Sequence, residues 1–199
     1  LMLEQRIQQQ FFESADLQYQ AAEVLGRPIE QAAAALVAGL TAGGRVLVAG
    51  LGASASLAQL VAAELTGCFE RERPGLAALA LASDSALLTR LPAPQVFAKQ
   101  VQALGQGGDV LVLIDGHAGD APHAQVFEAA IAAAQARDMS IVLLGAGAAA
   151  ALRGRLKETD VLLAVPHERA ARVLETQLLA LHCLCDALDV QLMGEQDNA

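Results

Sequence analysis

RVLVAGLGASASLAQLVAAELTGCF, residues 45–69, decides how the chain folds. Its first six residues form an aliphatic run about one buried strand long; two glycines follow, and the remainder spaces its apolar residues at helical intervals. A strand that hands over to a helix across a glycine turn is the first half of a βαβ unit. Four more runs of this kind follow: LAALAL at 76–81, DVLVLI at 109–114, SIVLLG at 140–145 and DVLLAV at 160–165. VFAKQVQALG, HAQVFEAAIAAAQARD and a shorter AAAALRGRLKE lie between the later runs and carry helical spacing. Five strands alternating with helices predict a doubly wound, α/β parallel sheet.

Two segments stand outside that alternation. Residues 2–42 read as two helices broken near Gly26-Arg27-Pro28, because proline disrupts a helix interior. Residues 169–193 read as one long helix with Ala170, Val173, Leu174, Gln177, Leu178, Leu181, Leu184, Cys185 and Leu188 along a broad stripe. A small domain needs only part of that surface for its own core. The surplus predicts a homo-oligomer whose subunits exchange helical contacts.

Composition narrows the function. The 199 residues are 54% hydrophobic, which suits one well-filled domain spanning 1–199: N-terminal helices at 1–42, an α/β core at 45–166 and the long helix at 169–193. A net charge of −9 with 13 Lys+Arg argues against direct nucleic-acid binding, which works by neutralising phosphates. No apolar stretch reaches the length of a membrane span and the start lacks a secretory apolar region, so a soluble, cytoplasmic protein is expected. Cys68, Cys183 and Cys185 are odd in number and lack metal spacing; the last two read as packed thiols in a helix.

Ligands of an open parallel sheet bind outside the carboxyl ends of its strands, where the strand order reverses. With a flavodoxin-like order, GLGASAS (50–56) and DGHAGD (115–120) face each other there. Gly50, Gly52, Ser54, Asp115, His117 and Asp120 are therefore the candidate ligand-binding residues. Arg172, near the start of the last helix, joins them as an anion-binding candidate. Asp115, His117, Asp120 and His123 could also converge on a metal, but their spacing matches no established metal motif. The favoured reading has Asp120 capping the next helix, Pro122 in its first turn and the histidines in water.

GLGASASLAQLVAAEL, ERERP (70–74), LLT (87–89), FAKQVQALGQGGDVL (97–111) and RAARVLETQLLALHCLCDALD (169–189) together resemble the sugar isomerase, or SIS, family. More narrowly, they resemble the branch that contains phosphoheptose isomerase and the DnaA initiator-associating protein DiaA. It implies a three-layer α/β/α sandwich with a five-stranded sheet, a homotetramer built through the terminal helices, and a sugar-phosphate site at the switch point.

Taken residue by residue, the resemblance is incomplete. The family's first loop usually reads G-N-G-x-S-A; Gly50, Gly52, Ser54 and Ala55 match, and Leu51 replaces the asparagine. The family's hydroxyl-rich phosphate loop is here Asp115-Gly116-His117-Ala118-Gly119-Asp120. Carboxylates there oppose a phosphate by about 4 kcal/mol for each unit-charge pair at ~4 Å and an effective dielectric of ~20, which makes sugar-phosphate binding doubtful. Metal-dependent members hold their ion with a His, a Glu, a Gln and a second His. The matching positions are Leu60, Glu64, Leu174 and His182, so the inherited zinc site is incomplete and no cofactor is expected.

Glu64 and His182 still form a possible acid/base pair for proton-transfer isomerisation. The losses favour a non-catalytic protein resembling DiaA, an oligomeric scaffold for the replication initiator DnaA, with Leu192 and Met193 as the partner-binding pair ahead of the tail GEQDNA. The alternative is a phosphoheptose isomerase with an altered site, converting sedoheptulose 7-phosphate to glycero-manno-heptose 7-phosphate through Glu64 and His182.

Overall fold

The computed structural model describes residues 2–81, 84–116, 121–147 and 150–195. Its elements in chain order are α1 (Leu3–Thr41), β1 (Val46–Gly50), α2 (Ala53–Thr66), β2 (Ala78–Ala80), α3 (Ser85–Arg90), α4 (Val96–Leu104), β3 (Val110–Ile114), α5 (Ala121–Gln135), β4 (Ser140–Ala146), α6 (Ala150–Arg153), β5 (Val161–Val165) and α7 (Ala170–Met193). The five strands are parallel and ordered β2-β1-β3-β4-β5, so the order reverses between β1 and β3. The expected flavodoxin-like α/β sandwich is present.

Alternation along the strands divides the core into two layers. Val46, Val48, Val110, Val112, Ile114, Val142 and Leu144 point toward α1, α2 and α7, where they meet Leu36, Leu57, Val61, Leu181, Leu184 and Leu188. Leu47, Ala49, Leu111, Leu113, Ile141 and Leu143 point the other way, toward Phe97, Val101, Phe127 and Ile131 of α4 and α5. Period-two patterning thus buries both sheet faces, which is why each central strand reads as an unbroken aliphatic run.

The break expected at Gly26-Arg27-Pro28 does not occur. α1 is one 39-residue helix with Pro28 inside it. Leu25 on one side of the proline and Ala32, Ala33 and Leu36 on the other are at most 3% exposed and pack into one continuous core layer. Burial on both sides outweighs the roughly 3 kcal/mol that an interior proline costs. β2 is likewise shorter than the 76–81 run suggested: three residues at the sheet edge pair only with β1. α7 begins and ends within a residue of its expected limits.

Candidate active site in the seam between α2 and α7

The chain leaves β1 through a turn that glycine makes possible. Gly52 has φ of 57°, a conformation that side chains rarely adopt, and a Cβ on Gly50 would lie 2.3 Å from the Ser54 carbonyl oxygen. That close approach tucks Ser54 under the strand end at 1% exposure. On the far side of the switch point, Gln177 of α7 is fully buried and its Nε2 donates to the Asp115 carbonyl at 2.9 Å. A Cβ on Gly116 would stand 2.6 Å from Ser54 Oγ and 3.7 Å from Gln177 Oε1. Among the described residues neither of those two oxygens has a hydrogen-bond partner, and buried polar atoms left in this state mark a place for water or ligand.

Further along the same seam, Glu64 of α2 meets His182 of α7. Glu64 Oε1 and His182 Nε2 are 3.5 Å apart, with side chains 17% and 36% exposed. The Phe69 ring lies 5.4 Å from the imidazole, centroid to centroid, and tilts 34° against it. The other carboxylate oxygen, Oε2, accepts from Cys185 Sγ at 3.6 Å. Burial above all, then the Glu64 charge, the hydrogen bond to Glu64 and the Asp189 charge push the Cys185 thiol up to about 12, while Arg73 opposes them. Cys185 is therefore a protonated donor at every ordinary pH.

Ten residues separate Ser54 from Glu64 on one helix, or ~15 Å of axial rise, so the strand-end turn and the Glu64–His182 pair are separate stations in one chain. The remaining candidates fall around them. Asp115 ends the β3 run and is 7% exposed. His117 and Asp120 lie outside the described residues, and His123 is half-buried in the first turn of α5. Arg172 turns toward the protein: it pairs with Glu175 and its guanidinium donates to Gln10 Oε1 of α1 at 3.1 Å. Leu192 is half-buried, and Met193 is 54% exposed at the end of α7.

Zinc enters through the family resemblance and must be tested on the donors present. Leu60 and Leu174 contribute hydrocarbon, leaving one carboxylate and one imidazole where zinc takes three or four protein ligands. Among the described residues, no group of three or more His, Cys, Asp and Glu side chains could hold a metal ion. The residues do not fit zinc.

Residues 10–146 match the SIS domain family. The chain belongs to that family. Its relatives include the phosphoheptose isomerase of Methylibium petroleiphilum, 54% identical over 98% of this chain and 98% of the relative, and that of Thiobacillus denitrificans, 44% identical over 98% and 99%. Among solved structures, phosphoheptose isomerase GmhA from Neisseria gonorrhoeae superposes with a TM-score of 0.86 at 39% identity, covering 94% of this chain and 99% of that one. The phosphoheptose isomerase from Francisella tularensis has the same TM-score at 33% identity.

These full-length relatives correct the scaffold expectation. That reading took lost loop hydroxyls and two lost metal positions as loss of catalysis, and it placed the chain nearer to DiaA than to the isomerases. The likeness to SIS-family members named phosphoheptose isomerase extends from α1 through α7 and overturns it. The misreading counted groups that are missing; it gave too little weight to Glu64 and His182, which are present and in contact.

Sequence reasoning passed over two polar residues of the seam. Gln177 and Cys185 read as members of the α7 apolar stripe, whereas each bonds across to a different element. A lone amide within an otherwise aliphatic stripe was the available signal for Gln177, since a fully buried amide needs partners. For Cys185 the sequence carried none. Among the described residues, no helix is long and apolar enough to cross a membrane.

Proposed function

We propose that this protein is a sugar-phosphate aldose–ketose isomerase of the phosphoheptose isomerase type, in which Glu64 and His182 move the protons. The 3.5 Å approach of Glu64 Oε1 to His182 Nε2 carries the reading. With an open-chain ketose, the Glu64 carboxylate removes a proton from C1, the carbon beside the carbonyl, and the electron pair left behind forms the carbon–carbon double bond of an enediolate. His182 delivers a proton to O2 and takes one from O1. Glu64, now a carboxylic acid, returns its proton to C2, giving the aldose. Atoms and charge balance, and no oxidant or external base is consumed.

The environment supports these roles. Half-burial of the carboxylate strengthens its interaction with a developing charge, and Phe69 shields one side of the imidazole from water. The site works without zinc in this reading, in keeping with Leu60 and Leu174. The reading also takes the chain to be a homotetramer. Met2, Leu3, Ile7, Phe11, Phe12, Tyr19 and Val24 are at least 50% exposed along α1, an apolar surface that assembly would cover.

The test is conversion of sedoheptulose 7-phosphate by purified protein, with and without added zinc. Glu64→Gln and His182→Ala are each expected to lower kcat by about 10²–10⁴. Turnover untouched by both substitutions, or no turnover by the wild-type protein under either condition, overturns the proposal.

A further inference from the structure

Two side chains of α7 share one carboxylate. His182 faces Glu64 Oε1, and Cys185 bonds to Oε2 from three residues further on, so both reach Glu64 from one side of the helix. Cys185 is fully buried, and its sulfur has no exposure to water that would compete for the proton. A carboxylate turns readily about its terminal bond, because that torsion has a broad, nearly two-fold profile. Without a partner on Oε2, either oxygen could face the imidazole and the group would sample directions that lead away from it.

We propose that Cys185 is a positioning residue, whose S–H grips Glu64 by Oε2 and leaves Oε1 as the single oxygen presented beside His182. The inference rests on the isomerase reading and assigns a role to a residue that the reaction itself does not use. Thiols suit this task where stronger donors do not. A weak S–H donor directs the carboxylate while withdrawing little of its basicity, whereas a cationic donor would neutralise it.

The contact depends on the register of α2 against α7, and Arg73 fixes that register. Its guanidinium donates to the carbonyls of Leu65 at 2.9 Å and Glu64 at 3.0 Å, at the end of α2, and its Nε to Asp189 of α7. The charged and titratable groups around Glu64 are thus His182 and Cys185 directly, with Arg73 and Asp189 behind them.

Three substitutions separate positioning from packing. Cys185→Ser keeps a donor, Cys185→Val keeps an apolar side chain of similar size without one, and Cys185→Ala removes both. For the sedoheptulose 7-phosphate reaction, the Val and Ala variants are expected to lose roughly tenfold in kcat with KM changed less than about twofold, and Ser to recover most of the loss. Wild-type kcat in Cys185→Val, or equal losses in Ser and Ala, overturns the role.

The S–H stretching band in the infrared provides a readout that does not depend on activity. Its Cys185 component, identified by difference against Cys185→Ser, is expected at lowered frequency and should rise in Glu64→Gln. A free-thiol band in an active enzyme overturns the positioning role alone. A lowered band in a wild-type protein with no turnover overturns the isomerase reading, and with it a catalytic purpose for the bond.

Discussion

Arg73 Nε stands 2.5 Å from Asp189 Oδ1, with side chains only 1% and 4% exposed. The pair closes the α2–α7 seam about two turns beyond His182. Asp189 is 3% exposed, where an isolated carboxylate is strongly disfavoured, and Arg73 is its nearer cation, with Arg71 Nε 3.9 Å from Oδ2. Arg73 also satisfies the carbonyls of Leu65 and Glu64, groups that the end of a helix leaves without internal partners.

Removing either member should therefore destabilise the fold more than an ordinary surface change. Arg73→Met leaves the buried Asp189 carboxylate with only the more distant Arg71, at 3.9 Å, and takes the donor from the Glu64 carbonyl, and about 3 kcal/mol of stability is expected to go. For a chain of this size that corresponds to a fall in melting temperature on the order of 10 °C. Arg73→Met with Asp189→Leu should recover part of the loss, since no carboxylate is then buried, while Arg71 keeps its bonds to the Asp189 and Gly194 carbonyls. Thermal melting by circular dichroism measures both; an Arg73→Met protein melting within a degree of wild type defeats the assignment.

Alkaline pH probes the Cys185 environment independently. Its thiol rises from the usual 9.0 to about 12, chiefly through burial, so between those values the unfolded chain has lost a proton that the folded chain retains. Stability is complete below pH 9 and falls as pH climbs, by about 1.4 kcal/mol per unit from this group while the difference persists. The Cys183 thiol is also raised, by burial and by Asp186, and acts in the same direction. Denaturant midpoints measured at pH 8 and pH 10.5 should therefore differ less in Cys185→Ala than in wild type. Equal pH sensitivity in the two proteins would show that Cys185 is not held protonated.

The α/β layers were legible because their cause is local. Each central strand is buried on both faces, so Val46 through Gly50 and Val110 through Ile114 had to be apolar throughout, and the helices between them announced themselves by period. The continuity of α1 was not legible, since the forces holding Leu25 and Leu36 against the sheet come from residues distant in sequence. The site divided in the same way. Glycine at 50 and 52 and serine at 54 marked the first loop, and family resemblance brought Glu64 and His182 forward as a pair. That Cys185 grips the second oxygen of Glu64, and that Gln177 braces the β3 end, are facts of helix rotation and register that no spacing rule contains. The scaffold reading erred by counting missing groups at the loop and the metal positions, although Glu64 and His182 were still in contact.

Leu60 offers a direct test of the donor-set argument. It lies one turn before Glu64 on α2 and is 39% exposed, so a longer polar side chain placed there meets little resistance. Leu60→His sets an imidazole on the same helix face as Glu64, which already touches His182, and raises the nearby donors from two to three. Three protein ligands and one open position are what catalytic zinc takes. Leu174→Gln should add little, because a neutral amide oxygen is a weaker zinc donor than imidazole, thiolate or carboxylate. Isothermal titration with zinc is therefore expected to give about one ion per chain for Leu60→His, lost again when Glu64→Gln is added, and no comparable site in wild type or Leu174→Gln. Stoichiometric, tight binding by the wild-type protein, abolished by Glu64→Gln, would mean that two hydrocarbon side chains have not dismantled the site, and the zinc-free mechanism would fall with it.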